Sequence, residues 1–443
     1  MTTAPGSPRP GLLDPADLHD SLTDPVLRAM TFLNEVADRF PDAISFAPGR
    51  PTEEVFDLED VHRWLRGFWA HLRDERGYDE AAVRRTAFQY GGTKGIVSDL
   101  VARHLLVDEG IEVGPGSLVV TVGAQEALLL VLRALRAREQ DVLLAVEPSY
   151  VGLTGAARLL DMPVHPVREG AEGVDLTHLV ARIRELRATG RRPRALYVVP
   201  DFCNPTGVTM SVDDRHRLLR IAAEEGVLLL EDNPYGIFRA FGERLPTLKA
   251  LDTGQWVVYV GSLAKTGFPG ARVGFVVADQ RVTDAGSGQG LFADELSKIK
   301  SMVTVNTSAV SQAAIGGMLL EHEGSLVRAN TRQVAIYRRN LTRLRKALQE
   351  RLGGIPGVSW NAPDGGFFLL LTVPFPVDDT LLEESAARHG VLWTPLSHFY
   401  PDAAPRRQMR LSFSALTTAQ IDEGVDRLHA LIQERMAEGG ARG

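Results

Sequence analysis

The chain of 443 residues carries a single cysteine, Cys203. One thiol permits no internal disulfide and no cysteine cluster for a metal. Lysine is nearly as scarce: of 49 basic residues, six are lysine and 43 are arginine. An arginine-heavy coding bias accounts for the skew. It still leaves any chemistry that needs a primary amine only six candidates: Lys94, Lys249, Lys265, Lys298, Lys300 and Lys346. Long apolar runs are missing too. Those at 127–132 and 227–230 fall far short of the ~20 residues that span a bilayer. Basic blocks are absent, and the net charge is 49 − 56 = −7, which argues against nucleic acid as a partner. Residues 1–12 hold Pro and Gly but no apolar signal core. The expectation is a soluble cytoplasmic protein.

What is present is ordinary globular composition, 44% hydrophobic and 24% charged, enough to bury a sizeable core. The length suggests two or three domains at roughly 100–200 residues each. Residues 1–20 read as a loose Pro-rich arm. Residues 21–40 have near-helical apolar spacing at Leu27, Met30, Leu33 and Val36. Two helical stretches are predicted between 55 and 110, separated by the turn Gln89-Tyr90-Gly91-Gly92-Thr93. From 117 onward short β-branched runs recur at 118–122, 142–146, 196–199, 227–230, 257–260 and 273–277. Helical stretches at 124–138, 176–188 and 213–225 lie between most of them. That alternation means a parallel sheet covered on both faces. The segment 261–272 is too short for a covering helix, so its flanking runs are expected to pair antiparallel. Residues 294–352 read as largely helical. Short apolar stretches at 358–360, 367–372, 391–393 and 409–413 follow, then a last helix at 417–437. A Gly-rich loop is read at 286–290.

Ligands in such sheets sit at the carboxyl ends of the strands. The run 118–122 leads through Gly123-Ala124-Gln125 straight into a helix, whose free N–H groups make a phosphate seat. The run 196–199 delivers Asn204-Pro205-Thr206-Gly207. The run 227–230 delivers Asp232-Asn233-Pro234-Tyr235. The run 257–260 delivers Ser262-Leu263-Ala264-Lys265, with Arg272 following. Lys298, Lys300 and Lys346 sit on helical stretches and read as solvated. Lys94 and Lys249 fall in loop or helix-start contexts. Lys265 alone stands at a buried strand end among small residues, where a lysine is costly unless paired or used.

In order and spacing this set resembles the fold-type I pyridoxal-phosphate enzymes, specifically the class I/II aminotransferases, over roughly residues 25–435. The resemblance implies an α/β fold: a large domain with a seven-stranded, mostly parallel sheet between helices, plus a smaller C-terminal α/β domain. The corresponding segments are an N-terminal arm and substrate-closing segment at 1–54, a cofactor domain at 55–325 and a small domain at 326–443. It implies pyridoxal 5'-phosphate as cofactor and no metal. Lys265 would form the Schiff base and move the Cα proton, which requires an amine uncharged near neutral pH. Asp232 would keep the pyridine nitrogen protonated. Tyr235 and Asn204 would bond the cofactor's 3-hydroxyl oxygen, and Tyr150 would stack on its ring. Ser262, Arg272 and the Gly123–Gln125 turn would hold the phosphate. Tyr90 matches a tyrosine that reaches the neighbouring subunit's phosphate, so a homodimer with shared sites is implied. Asn306 or Ser308 is a further candidate there.

Arg410 matches the arginine that takes the substrate carboxylate, where a planar fork is the natural partner. Gly49 matches a glycine that closes over the substrate. Arg50 departs from the small or apolar residue usual after it and is either a second anion contact or a surface residue. Phe46, Phe202, Phe399, Tyr400 and His398 are candidates for an aromatic side-chain pocket. Residues 45–51 and 396–400 are also similar to the aminotransferases that make dihydroxyphenylglycine or hydroxyphenylglycine for peptide antibiotics. The implied function is transfer of an amino group between an α-amino acid and a 2-keto acid, with an aromatic or arylglycine substrate in specialised metabolism. The same cofactor motifs leave open a decarboxylase, a lyase or an oxidase. A non-catalytic regulator would need a DNA-binding domain ahead of the fold, for which residues 1–20 leave little room.

Overall fold

The computed structural model describes residues 13–24, 27, 32, 35–36, 38–170, 172–284, 288–402 and 404–440. Nine of the twenty residues of the helix expected over 21–40 lie outside these residues. So do residues 1–12 of the expected arm, while Pro15–Asp17 and Asp20–Thr23 are short 3-10 turns.

The first strand, β1 (Ile44–Ser45), precedes an eight-stranded sheet. That sheet is built from β2 (Leu118–Thr121), β3 (Asp141–Glu147), β4 (Val164–Gly170), β5 (Gly173–Val174), β6 (Arg192–Val198), β7 (Leu228–Asp232), β8 (Val257–Ser262) and β9 (Gly274–Val277). Its order is β2-β9-β8-β7-β6-β3-β4-β5. Strands β4, β3, β6, β7 and β8 run parallel in sequence across the sheet. As the short 261–272 connection requires, β9 is antiparallel to β8, and also to β2. The seven expected strands are present, and the two-residue β5 adds an antiparallel eighth at the edge.

Residue alternation explains why the central runs are apolar throughout. On β3, Leu143 and Ala145 pack with the helices Gly123–Leu135 and Val151–Leu159. Val142, Leu144 and Val146 face the helices Leu176–Ala188 and Val212–Glu225. With both faces buried, polar residues have no place in mid-strand. Strand β4 escapes an apolar reading because it lies near the sheet edge and carries His165, Arg168 and Glu169.

The segment 55–110 forms three helical pieces rather than two: Leu58–Asp74, Glu80–Phe88 and Ser98–His104, the last extended through Glu109. Part of the expected Gly-rich loop is paired instead, with β10 (Arg281–Asp284) antiparallel to β11 (Gly288–Leu291). A four-stranded sheet follows: β12 (Ser359–Trp360), β13 (Phe368–Val377), β15 (Thr394–Pro395) and β16 (Arg406–Ser412), in the order β12-β13-β16-β15. The helices Thr331–Leu352 and Thr418–Gly440 cover it. β14 (Val391–Leu392) pairs in parallel with β1 in a separate two-stranded sheet, which ties residues 44–45 to the segment that leads into β15.

The two sheets meet where Phe202 packs on Gly365 and Gly366. A Cβ at Gly366 would lie 2.4 Å from Phe202 Cβ, and its φ of +71° suits glycine. Among the described residues no helix is long and apolar enough to cross a membrane.

Candidate active site

The carboxyl ends of the parallel strands open into a cavity of about 930 Å³. Ala124, Tyr150, Asn204, Asp232, Tyr235, Ser262 and Lys265 line it from the large sheet's strand ends. Arg410 enters from β16, and Gly49 and Arg50 from the segment after β1. The sequence scatters these residues over more than 350 positions, and the fold brings them to one place.

Lysine pairing singles out one amine. Lys94 lies 2.6 Å from Asp294, Lys249 2.7 Å from Asp279, Lys298 2.7 Å from Glu295, Lys300 2.7 Å from Glu126 and Lys346 3.7 Å from Glu350. Among the described residues Lys265 has no carboxylate within ion-pair distance, and it donates to the Gly49 carbonyl at 2.6 Å. Burial, then the positive charges of Arg410 and Arg272, pull its amine down to about 8, while Asp232 opposes them. The expectation that Lys300 is solvated is corrected, and Lys249, read only as a loop or helix-start residue, is likewise not superficial. Lys300 and Lys249 are buried, and each is held by carboxylates. Helical context alone could not distinguish a solvated lysine from an ion-paired one.

Asp232 ends β7 and is buried. Tyr197 Oη donates to its Oδ2 at 2.8 Å, and its Oδ1 has no hydrogen-bond partner among the described residues. Burial raises this carboxyl to about 6, with the Tyr197 bond and Lys265 acting the other way. Tyr197 was not singled out in the sequence, because it sits in an apolar strand run and reads as core. The two-residue strand period was the available signal: Tyr197 and Val199 lie on one face, and both line the cavity.

Arg410 Nη1 donates to Asn204 Oδ1 at 2.6 Å, and Nη2 to the Ala47 carbonyl at 2.7 Å and Thr394 Oγ1 at 3.1 Å. Its Cζ stands 4.3 Å from the Phe368 ring centroid and 5.0 Å from that of Phe399. Phe368 and Thr394 were also missed. Burial lowers Arg410 to about 10, opposed by Tyr235 and Tyr150. Tyr235 and Tyr150 are themselves pushed up by burial.

At the other end of the cavity, the helix Gly123–Leu135 begins at the strand end. A Cβ at Gly123 would meet Arg272 Nη2 at 2.6 Å, so the guanidinium lies against this turn, and the φ of +73° also requires glycine. Gln125 Nε2 donates to the Gly152 carbonyl at 2.6 Å, linking the turn to the helix that follows Tyr150.

Other candidates fall elsewhere. Tyr90 is 83% exposed and does not line the cavity of its own chain. Asn306 and Ser308 lie in the turn before the helix Ala309–Glu321, which Ser308 caps. Arg50 does border the cavity, but is exposed and lies 3.8 Å from Glu53. Phe46 and Phe202 are buried in the hydrophobic core rather than lining the cavity. Phe399 and His398 do line it, and His398 Nε2 lies 2.6 Å from Asp379 Oδ1. Tyr400 lies beneath the Arg406 guanidinium, 4.1 Å away.

The family profile described as aminotransferase class I and II matches residues 70–428. The chain belongs to this family. It is 56% identical over 419 residues to the (S)-3,5-dihydroxyphenylglycine transaminase of Amycolatopsis orientalis, covering 95% of this chain and 94% of that one. It is 30% identical to aromatic-amino-acid aminotransferase 1 of Thermococcus litoralis, over 89% of both chains. Among solved structures, the multiple substrate aminotransferase from Thermococcus profundus superposes with a TM-score of 0.79 at 28% identity, covering 92% of this chain and 95% of that one. The aminotransferase activity expected from the strand-end motifs therefore stands, and so does the α/β architecture.

Proposed function

We propose that this aminotransferase uses pyridoxal 5'-phosphate in the cavity above and acts on arylglycines of the dihydroxyphenylglycine type. The observation that carries the cofactor reading is an amine without an ion pair, in the same cavity as a buried carboxylate oxygen without a donor, among the described residues. Among the described residues Lys265 is the lysine without an ion pair, and Asp232 Oδ1 is a buried acceptor with no donor. A protonated ring nitrogen would satisfy that oxygen, and an aldehyde would take that amine. When bound, the cofactor supplies an electron-accepting ring for the pair released as a Cα bond breaks.

The chain's residues then have distinct tasks. Asp232, braced by Tyr197, holds the proton on the ring nitrogen. Asn204 and Tyr235, which line the cavity, would bond the ring's oxygen substituent, and Tyr150 would pack beside the ring. Ser262, Arg272 and the N–H groups of Gly123–Gln125 hold the phosphate. Arg410 fixes the substrate carboxylate, so that Cα stands near Lys265. Lys265 Nζ removes the Cα proton and returns one on the reverse course, which its lowered basicity permits near neutral pH. Phe368 and Phe399 flank Arg410 and favour an aromatic group next to the carboxylate-bearing carbon. The 56% identity to a dihydroxyphenylglycine transaminase supports that choice.

A homodimer with shared sites completes the reading. Phe88, Tyr90 and Met302 are each more than 80% exposed, as an interface awaiting a second copy would leave them. The test is reduction of the cofactor-loaded protein with borohydride, followed by peptide mapping and a screen of arylglycines against aliphatic and larger aromatic amino acids. A label on Lys265 and a preference for arylglycines are expected. A label elsewhere rejects the cofactor reading, and indifference to the aryl group rejects the substrate.

A further inference from the structure

Glu126 lies in the first turn of the helix Gly123–Leu135 and is buried. Its Oε2 accepts from the Val122 N–H at 2.6 Å and from Lys300 Nζ at 2.7 Å. Its Oε1 accepts from Thr304 Oγ1 at 2.6 Å, and Lys300 also donates to Thr304 at 2.9 Å. Lys300 comes from a distant helix, Phe292–Val303, and is 0% exposed. The cluster lies directly behind the Gly123–Gln125 turn.

Each member has a physical cost or consequence. The carboxylate fixes the turn by binding the N–H just before Gly123. It also places a negative charge in the first helical turn, close to the N–H groups that would meet an anion. A carboxylate there competes with a phosphate for the same positive end of the helix. Burying Lys300 is expensive unless its charge is used, and an apolar pair would serve packing as well or better. An ammonium 2.7 Å from Glu126 cancels the repulsion while keeping the carboxylate's grip on Val122.

We propose that Lys300 and Glu126 form a charge-compensated positioning pair for the phosphate site: Glu126 sets the turn through Val122, and Lys300 neutralises Glu126 so that the turn accepts a phosphate. This rests on the reading of Gly123–Gln125 as the phosphate seat. Neither residue touches the reacting atoms.

The test compares affinities of the cofactor-stripped full chain for pyridoxal 5'-phosphate and for pyridoxal, which lacks the phosphate. The proteins are wild type, Lys300→Met, Glu126→Gln and the double variant. Uncompensated Glu126 should weaken binding of the phosphate ester by about tenfold or more in Lys300→Met, given the strength of charge interactions at partly buried sites. Pyridoxal binding should hardly change. The double variant should recover most of the loss, and Glu126→Gln alone should bind the phosphate ester at least as well as wild type. Equal weakening toward both ligands in Lys300→Met would mark a merely structural pair and overturn the proposal. So would a double variant as weak as Lys300→Met. If Lys300→Met does not fold, weaker phosphate-ester binding by Glu126→Gln overturns it instead. A wild type that binds both ligands equally defeats the underlying phosphate assignment, which is a separate result.

Discussion

Tyr197 Oη donates to Asp232 Oδ2 at 2.8 Å, and the other carboxylate oxygen is left with no partner. The tyrosine therefore both orients Asp232 and favours its charged form, against a burial that raises it to about 6. Asp232 is ionised above its pKa, so activity that needs the carboxylate falls as pH drops through that value. Tyr197→Phe removes one of the two influences holding the pKa down. The acid limb of the kcat/KM profile should move to higher pH by about one unit or more, as expected for the loss of a hydrogen bond to a charged group. An unmoved limb would mean that Tyr197 only fills space.

Lys265 should behave as an amine of about 8 rather than the ordinary 10.5, because burial and two nearby guanidinium groups disfavour its charge. The proton-free amine exists above the pKa. In cofactor-stripped protein, the rate of reductive trapping of pyridoxal 5'-phosphate should therefore rise with pH and level off above about 8. Trapping at this site should vanish in Lys265→Ala. A rate still climbing steeply toward 10.5 would show that the amine is not perturbed.

The parts of this site that could be read from sequence are those in which one residue type at a strand end has a chemical reason to be there. Asn204, Asp232, Lys265 and Arg410 are of this kind, and all reach the cavity. The α/β order was equally legible, since a sheet buried on both faces demands apolar runs. What stayed hidden depended on direction or partnership. Tyr197 lay inside such a run, and only its face on the strand gives it a role. Lys300 looked solvated until Glu126, 174 residues away, was placed beside it. β4 was lost because a strand next to the sheet edge tolerates His165, Arg168 and Glu169.

Buried pairing makes Lys249 a stability residue rather than a chemical one. Its Nζ donates to both oxygens of Asp279, at 2.7 and 2.9 Å, and lies 3.6 Å from Asp252. Lys249→Met leaves two carboxylates without their cation. Breaking such a pair costs about 3–5 kcal/mol, so thermal unfolding should shift clearly downward. The loaded variant, assayed well below its Tm, should retain its kcat. A lowered kcat with unchanged Tm would place Lys249 in the chemistry.

Arg410 is held before any substrate arrives. Its two Nη atoms are engaged by Asn204, Ala47 and Thr394, the Phe368 and Phe399 ring centroids lie 4.3 and 5.0 Å from its Cζ, and its Nε is buried without a partner among the described residues. A guanidinium fixed in this way can meet a carboxylate without first losing side-chain freedom. A lysine keeps the charge but has neither the fork nor the planar stacking. In Arg410→Lys, kcat/KM for an α-amino acid should fall roughly 10- to 100-fold through loss of at least one charge-assisted bond. Most of the loss should appear in KM, since the carboxylate is bound in the ground state and the transition state alike. The corresponding arylmethylamine, which lacks the carboxylate, should react no faster with wild type than with the variant. Equal losses on the two amines would place Arg410 elsewhere in the reaction.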